Sequence, residues 1–301
     1  MCALKITRAS DPITVERINL VAYGPPGLGK TSLAFTANAP LLLDFDAGSY
    51  RAANRKDVVQ IESWSDVAGI TADDLAPFKT VIVDTAGRAL DALSADIIRQ
   101  NPKHGRGGAL TLQGYGELKA RFIAFLKLLN SFGKDVVLVA HMDEQRNGDE
   151  IVERLDVQGG SKAEIYKAAD AMGRLVMREG RRWLLFSPSD AAFGKNPGRF
   201  DPLEVPDVAS PDFDSFLARI ISETKARLNA MSEAQKEAAA EQAWFRENLP
   251  GIDDAEAINA LIGRAKAAGP AVAKMLNARA KELGLRGDKK SGQYVAQEAA
   301  A

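Results

Sequence analysis

The chain has 301 residues, 46% of them hydrophobic and 26% charged, with 39 Lys and Arg against 40 Asp and Glu and a formal charge of −1. That is enough chain for a real hydrophobic core; the proportions exclude a disordered, collagen-like or low-complexity protein, and a uniformly basic nucleic-acid coat, but not a local basic groove. The longest apolar stretches, such as 39–43 and 136–140, are far short of the roughly 20 residues that span a bilayer, so no membrane association is expected.

The opening residues lack the apolar core of a secretory signal, and Cys2 is the one cysteine, so no intrachain disulfide can form; both point to the cytoplasm. In chain order, 18–23 reads as a short buried strand and is followed at once by Gly24-Pro25-Pro26-Gly27-Leu28-Gly29-Lys30-Thr31 and then by helix-compatible residues from Ser32. Residues 40–45 and 80–84 are further apolar strands that end in acids, as expected of a parallel sheet covered on both faces. An amphipathic helix over 115–129, apolar at 118, 122, 125, 126 and 129, leads to a fourth strand at 135–140.

Residues 143–160 are rich in charge and end in two glycines, which reads as a mobile loop. A short helix over 162–172 and a hairpin from 175–177 and 183–187 follow, then a proline-rich linker at 188–211. A long helix over 213–248, a helical pair over 253–268 and 270–283, and a frayed tail complete the chain. The alternation of strands and helices predicts an α/β fold with a mostly parallel central sheet flanked by helices. The expected domains are an α/β core over 1–205, a C-terminal helical region over 206–286 and a flexible tail over 287–301.

The segment from Gly24 to Thr31 matches G-x-x-x-x-G-K-[ST] in the strand-then-helix context that a phosphate-binding loop requires. Its chemistry needs Gly24, Pro25, Pro26, Gly27, Leu28 and Gly29 to bring backbone N–H groups against a β-phosphate, with Ser32 at the start of the helix. Lys30 supplies positive charge, and Thr31 offers a hydroxyl to Mg²⁺. Asp84, at the carboxyl end of its strand, is the second candidate metal group; the alternative is an ordinary turn acid or helix cap. ATP and Mg²⁺ are the cofactors this pattern implies.

Three further features narrow the class: Leu42-Leu43-Asp44-Phe45-Asp46, the strand ending at Asp84, and Val137-Leu138-Val139-Ala140-His141. Together they resemble the RecA-like P-loop ATPase core, and the layout is most similar to phage-type members, in particular the ATPase branch of the phage single-strand annealing (Sak) recombinases. The resemblance implies a RecA-like core over about residues 15–200, with Asp46 as the base that polarises the attacking water and His141 as the sensor of the γ-phosphate. Asp46 departs from the family's Glu by one methylene, and His141 replaces an amide. A helix cap for Asp46 and a solvated loop histidine for His141 are the bland alternatives.

The resemblance also assigns single-stranded DNA to two loops. The first, 101–116, carries Lys103, His104, Arg106 and Tyr115 among five glycines; the second carries Arg146 and Lys162 around Gly159-Gly160-Ser161. Solvated surface loops would read the same way. Ring or filament assembly is implied as well, with Lys195 reaching a neighbour's nucleotide and a host or phage single-strand-binding protein as a further partner. In the C-terminal region, seven acids face two bases over 231–256, whereas eight bases face two acids over 264–290. That basic stretch holds DNA, docks on an acidic patch, or is simply a solvated face. The expected function is ATP-dependent single-stranded DNA binding in phage recombination; the alternative is a nucleotide-gated assembly or regulatory ATPase indifferent to DNA.

Overall fold

A computed structural model of the chain describes residues 14–147, 150–157, 161–288 and 292–296. It divides into two compact units, one over Val15–Leu228 and one built from Asn229 onward.

The first unit contains β1 (Asn19–Gly24), α1 (Lys30–Ala34), β2 (Pro40–Asp44), β3 (Asp57–Gln60), α2 (Ser65–Ala68), β4 (Thr80–Asp84) and α3 (Ala86–Gln100). A small ribbon, β5 (Gly105–Arg106) and β6 (Ala109–Leu110), precedes α4 (Leu112–Ser131), β7 (Asp135–Asn147), β8 (Glu150–Leu155) and α5 (Ser161–Ala168). β9 (Ala171–Arg178), β10 (Arg181–Leu185), β11 (Leu203–Glu204) and the first turns of α6 (Phe216–Asn248) complete it.

The sheet order is β11-β10-β9-β1-β7-β4-β2-β3, with β8 paired to β7. From β9 to β3 every pairing is parallel, and β10 runs antiparallel to both its neighbours. The central strands are apolar at every position because both faces are covered, and the two-residue period sorts them. Val21, Leu43, Val83 and Leu138 join the cluster of α3 and α4, including Leu90, Leu93, Phe122 and Leu126. Leu20, Leu42, Ile82 and Val137 face Leu33, Phe35, Phe216, Leu217 and Ile220.

One consequence of this order positions the site. β7 lies between β1, which feeds the phosphate loop, and β4, which ends in Asp84, with Gly24 opposite His141 and Asp84 opposite Val139. Crossing from β1 to β2 and β4 before returning to β7 puts three strand ends side by side at the carboxyl edge of the sheet.

Several expectations need correction. The charged stretch from 143 is not a loop as far as 155: β7 runs on past His141 and pairs antiparallel with β8, Asp143 opposite Arg154 and Asn147 opposite Glu150. Its charges suit a ribbon that pairs on one edge, and Asn147-Gly148 is a hairpin-favouring dipeptide. Gly159 and Gly160 lie outside the described residues. Residues 206–228, assigned from sequence to the C-terminal region, pack on the core: Leu217 N donates to Thr36 Oγ1 at 2.9 Å, and Lys225 pairs with Asp135 at 2.6 Å.

In the second unit, α6 is followed by α7 (Ala255–Ala260), α8 (Ile262–Ala268), α9 (Pro270–Glu282) and an antiparallel pair, β12 (Leu285–Gly287) and β13 (Tyr294–Ala296). The arm expected over 253–268 is thus two short helices. Part of the tail expected to fray is a strand, pinned where Asn259 Nδ2 donates to Tyr294 O at 2.9 Å and Tyr294 N donates to Asn259 Oδ1 at 2.7 Å. Phe245, Ile258, Ala265, Val272, Leu276 and Leu285 form this unit's own core.

Candidate nucleotide site

The loop between β1 and α1 is shaped by its glycines. Gly27 and Gly29 have φ of 79° and 80°, a left-handed backbone that side chains disfavour. A Cβ on Gly24 would sit 2.4 Å from the carbonyl oxygen of Leu175, so β1 and β9 can approach only with glycine there. α1 spans only five residues, shorter than the sequence suggests, so anion affinity must come from the loop amides and Lys30 rather than from a long helix dipole. Pro25 and Pro26 complete the turn, Leu28 packs against the core, and the backbone carbonyl of Ser32 is held by Asn54 at 3.0 Å.

Lys30 is buried, and its Nζ donates to Pro25 O at 2.7 Å. Burial pulls its ammonium down to about 8, against the raising effect of Asp84 and Asp46. Thr31 Oγ1 donates to Asp84 Oδ2 at 2.6 Å, bringing together the two groups that the sequence assigned to a metal. Burial is also the chief reason the Asp84 carboxyl is pushed up to about 6, with the Thr31 hydrogen bond acting the other way and Asp44 and Asp46 adding to the rise. Both shifts oppose the charged form, and an anion beside Lys30 and a cation beside Asp84 would each reverse one of them.

Asp46 and His141 face the same cleft, a cavity of about 550 Å³ lined also by Gly27, Gly29, Lys30, Thr31 and Asp84. Asp46 lies between two guanidinium groups, Arg51 at 3.5 Å and Arg88 at 3.6 Å. The turn that presents it is built by Asp44, whose carboxylate accepts from the amides of Asp46 and Gly48 at 3.2 Å and of Ser49 at 2.9 Å. His141 Nδ1 is buried without a hydrogen-bond partner. Burial, followed by the Lys30 charge, holds this imidazole below its ordinary pKa, so it is neutral at pH 7 and free to donate or accept. The open Nδ1, the desolvated Lys30 and Asp84, and the cleft volume all fit a nucleoside triphosphate with a divalent cation.

Periodicity gives no sign of Arg51, Arg88, Asp156 or Arg182. Asp156 borders the cleft at the end of β8. A Cβ on Gly29 would fall 2.9 Å from Arg182 Nη1, so β10 presents a cation beside the phosphate loop.

The DNA candidates are dispersed. Lys103 and Arg106 are exposed beside the β5–β6 ribbon, next to Gly107 and Gly108 at φ of 59° and 84°. His104 is turned inward, its Nδ1 at 2.8 Å from Glu117, and Tyr115 packs against the core. Arg146 lies on β7, while Lys162 is half-buried on α5. Lys195 is committed within its own chain: its Nζ donates to Ala169 O at 2.7 Å and lies 4.7 Å from the centre of the Tyr166 ring. Its strand contact is with Met172, early in β9 and away from the strand ends that form the cleft.

The family model of the AAA domain (AAA_24) matches residues 16–198, from just before β1 to beyond β10. The chain belongs to the AAA domain family. Membership makes it a P-loop ATPase of AAA type, a class that uses a nucleotide and usually Mg²⁺. Among solved structures the chain is similar to a KaiC-like protein from the hyperthermophilic archaeon Pyrococcus horikoshii OT3, at 12% identity, over 56% of this chain and 77% of that one, with a TM-score of 0.33. No curated protein matches it. The AAA domain match stops short of α6, leaving the second unit outside it. Among the described residues no helix is long and apolar enough to cross a membrane.

Proposed function

We propose that the protein hydrolyses Mg-ATP in this cleft and couples the nucleotide to single-stranded DNA binding in phage homologous recombination, by strand annealing or exchange, in the cytoplasm of the host. The observation that carries the reading is the path of β7. It brings His141 to the cleft between the phosphate loop and Asp84, then continues past it as a ribbon paired with β8.

Lys30 exchanges the Pro25 carbonyl for phosphate oxygens, and the amides of Gly27 and Gly29 orient them. Thr31 and Asp84 would hold Mg²⁺, which when bound would neutralise phosphate charge. Asp46 accepts the proton of the attacking water, and its two arginine partners hold its carboxylate at the mouth of the cleft. His141 reads the terminal phosphate through its open nitrogen. Asp46→Asn should bind ATP normally and lose about a hundredfold or more in turnover; wild-type turnover in that variant would remove Asp46 from the mechanism.

For DNA, the exposed Lys103 and Arg106 on a glycine-flanked ribbon are the supporting cations. Filter binding at low salt tests them, and no single-stranded affinity with or without ATP would overturn the reading. A second reading, ATP-driven assembly into a ring or filament without DNA, is favoured by the inward-turned His104, the packed Tyr115 and the acids along β7 and β8. Light scattering with a non-hydrolysable ATP analogue separates the two: here assembly is indifferent to added DNA.

A further inference from the structure

The second unit has an arrangement that the nucleotide cleft does not use. Three helices are followed by an antiparallel β pair around one apolar core, and α8 and α9 are separated by the single residue Gly269, whose φ of 104° ends the first helix. The hairpin is fastened to α7 by Asn259 and Tyr294. A helix that is packed on one side and followed by a β-hairpin can offer its other side to a nucleic-acid groove, with the hairpin beside it on the backbone.

The side chains of α9 divide accordingly. Val272, Leu276 and Ala280 are buried, while Lys274, Asn277 and Lys281 are exposed at spacings of three and four residues and therefore share one face. Ala271 and Ala278 beside them are exposed and small, so nothing bulky obstructs close approach. Lys274 and Lys281 stand about 10 Å apart along the axis, within the roughly 12 Å width of a B-form major groove.

Charge selects the partner. The one acid of α9, Glu282, is occupied by Arg279 at 3.0 Å, and Arg264 of α8 is held by Glu241 at 2.7 Å and stacked on Trp244 at 3.8 Å. Among the described residues Lys266, Lys274, Lys281 and the exposed Arg286 of β12 have no ion-pair partner, which leaves four cations around the α9 face. Asn277 stands between the two lysines, a side chain whose amide can pair with the edge of adenine.

We infer that this unit is a second nucleic-acid site, distinct from the cleft, which takes duplex DNA with α9 in the major groove and Arg286 on the flanking backbone. It does not depend on the single-strand reading of the first unit. Fluorescence anisotropy of the full-length protein with a short dye-labelled duplex tests it across a salt series. Lys274→Ala/Lys281→Ala should weaken duplex binding at least tenfold and lower the salt slope by about two, roughly 0.9 for each phosphate no longer neutralised. ATP turnover and single-strand affinity should stay at wild-type values, and Lys274→Glu/Lys281→Glu should deepen the loss. The inference is overturned if the wild type has no duplex affinity at low salt, or if the double variant keeps it. Equal loss on single-stranded and duplex probes would also overturn it, since a groove-docked helix discriminates them. So would a loss confined to ATP-dependent self-association, which would make the face a protein contact.

Discussion

Asp84 illustrates how a site of this kind trades stability for chemistry. Its carboxyl is buried and pushed up to about 6, so the folded protein keeps a proton there under conditions where the unfolded chain has released it. Stability therefore falls as pH rises from about 4 through about 6, and Asp84→Asn, measured without nucleotide or magnesium, should raise unfolding free energy at pH 7 by about 1–3 kcal/mol. The gain should fade below pH 4, and the same variant should lose turnover; a Tm unchanged at pH 7 would refute the argument. Lys30→Ala should likewise leave the fold intact and abolish nucleotide binding, measured by titration with a fluorescent analogue. For Arg88, on the first turn of α3 at 3.6 Å from Asp46, replacement by Ala should leave Tm near the wild-type value and lower steady-state turnover, because one of the two groups that position Asp46 is gone.

At the level of elements, β1 and β9 meet through Gly24 with no room for a methyl group against Leu175 O. Gly24→Ala must separate the strands or distort the loop, and a destabilisation of about 2 kcal/mol or more is expected in urea unfolding. The strands that read clearly from sequence are those apolar throughout, β1, β2, β4 and the first half of β7, because burial on both faces leaves a continuous signal. β3 and the outer half of β7 escape it for the converse reason: Asp57 and Gln60 are exposed, as are Asp143 to Gln145, and pairing rather than burial holds them. That the phosphate loop, Asp84, Asp46 and His141 meet at one cleft is legible, since each follows or closes an apolar run of the sequence. Arg51 and Arg88 are not, because what defines them is spatial proximity to Asp46. In the expected DNA loop, the inward turn of His104 and Tyr115 is not legible, because both are amphipathic side chains that find partners in Glu117 and the core.

Over the whole chain, Val15–Leu228 and the residues from Asn229 each close a hydrophobic cluster of their own. Two calorimetric transitions are expected, and a non-hydrolysable ATP analogue with magnesium should raise only that of the unit holding the cleft, by RT ln(1 + [L]/Kd). A single transition shifted as a whole by ligand would show the two cores to be one cooperative system. The net charge of −1 is then a sum over segregated stretches, an acidic one near 231–256 followed by a basic one from 264, and says little about either. β7 unites the remaining themes. Its 13 residues run unbroken from the sheet centre through His141 to Asn147, and the six residues beyond the histidine cover about 20 Å. A strand laddered to neighbours on its inner half and to one partner on its outer half behaves as a lever on a fixed pivot. If His141 meets the terminal phosphate as proposed, a small tilt at the imidazole would become a larger sweep at the tip, and a fluorophore there should respond to the exchange of a non-hydrolysable ATP analogue for ADP.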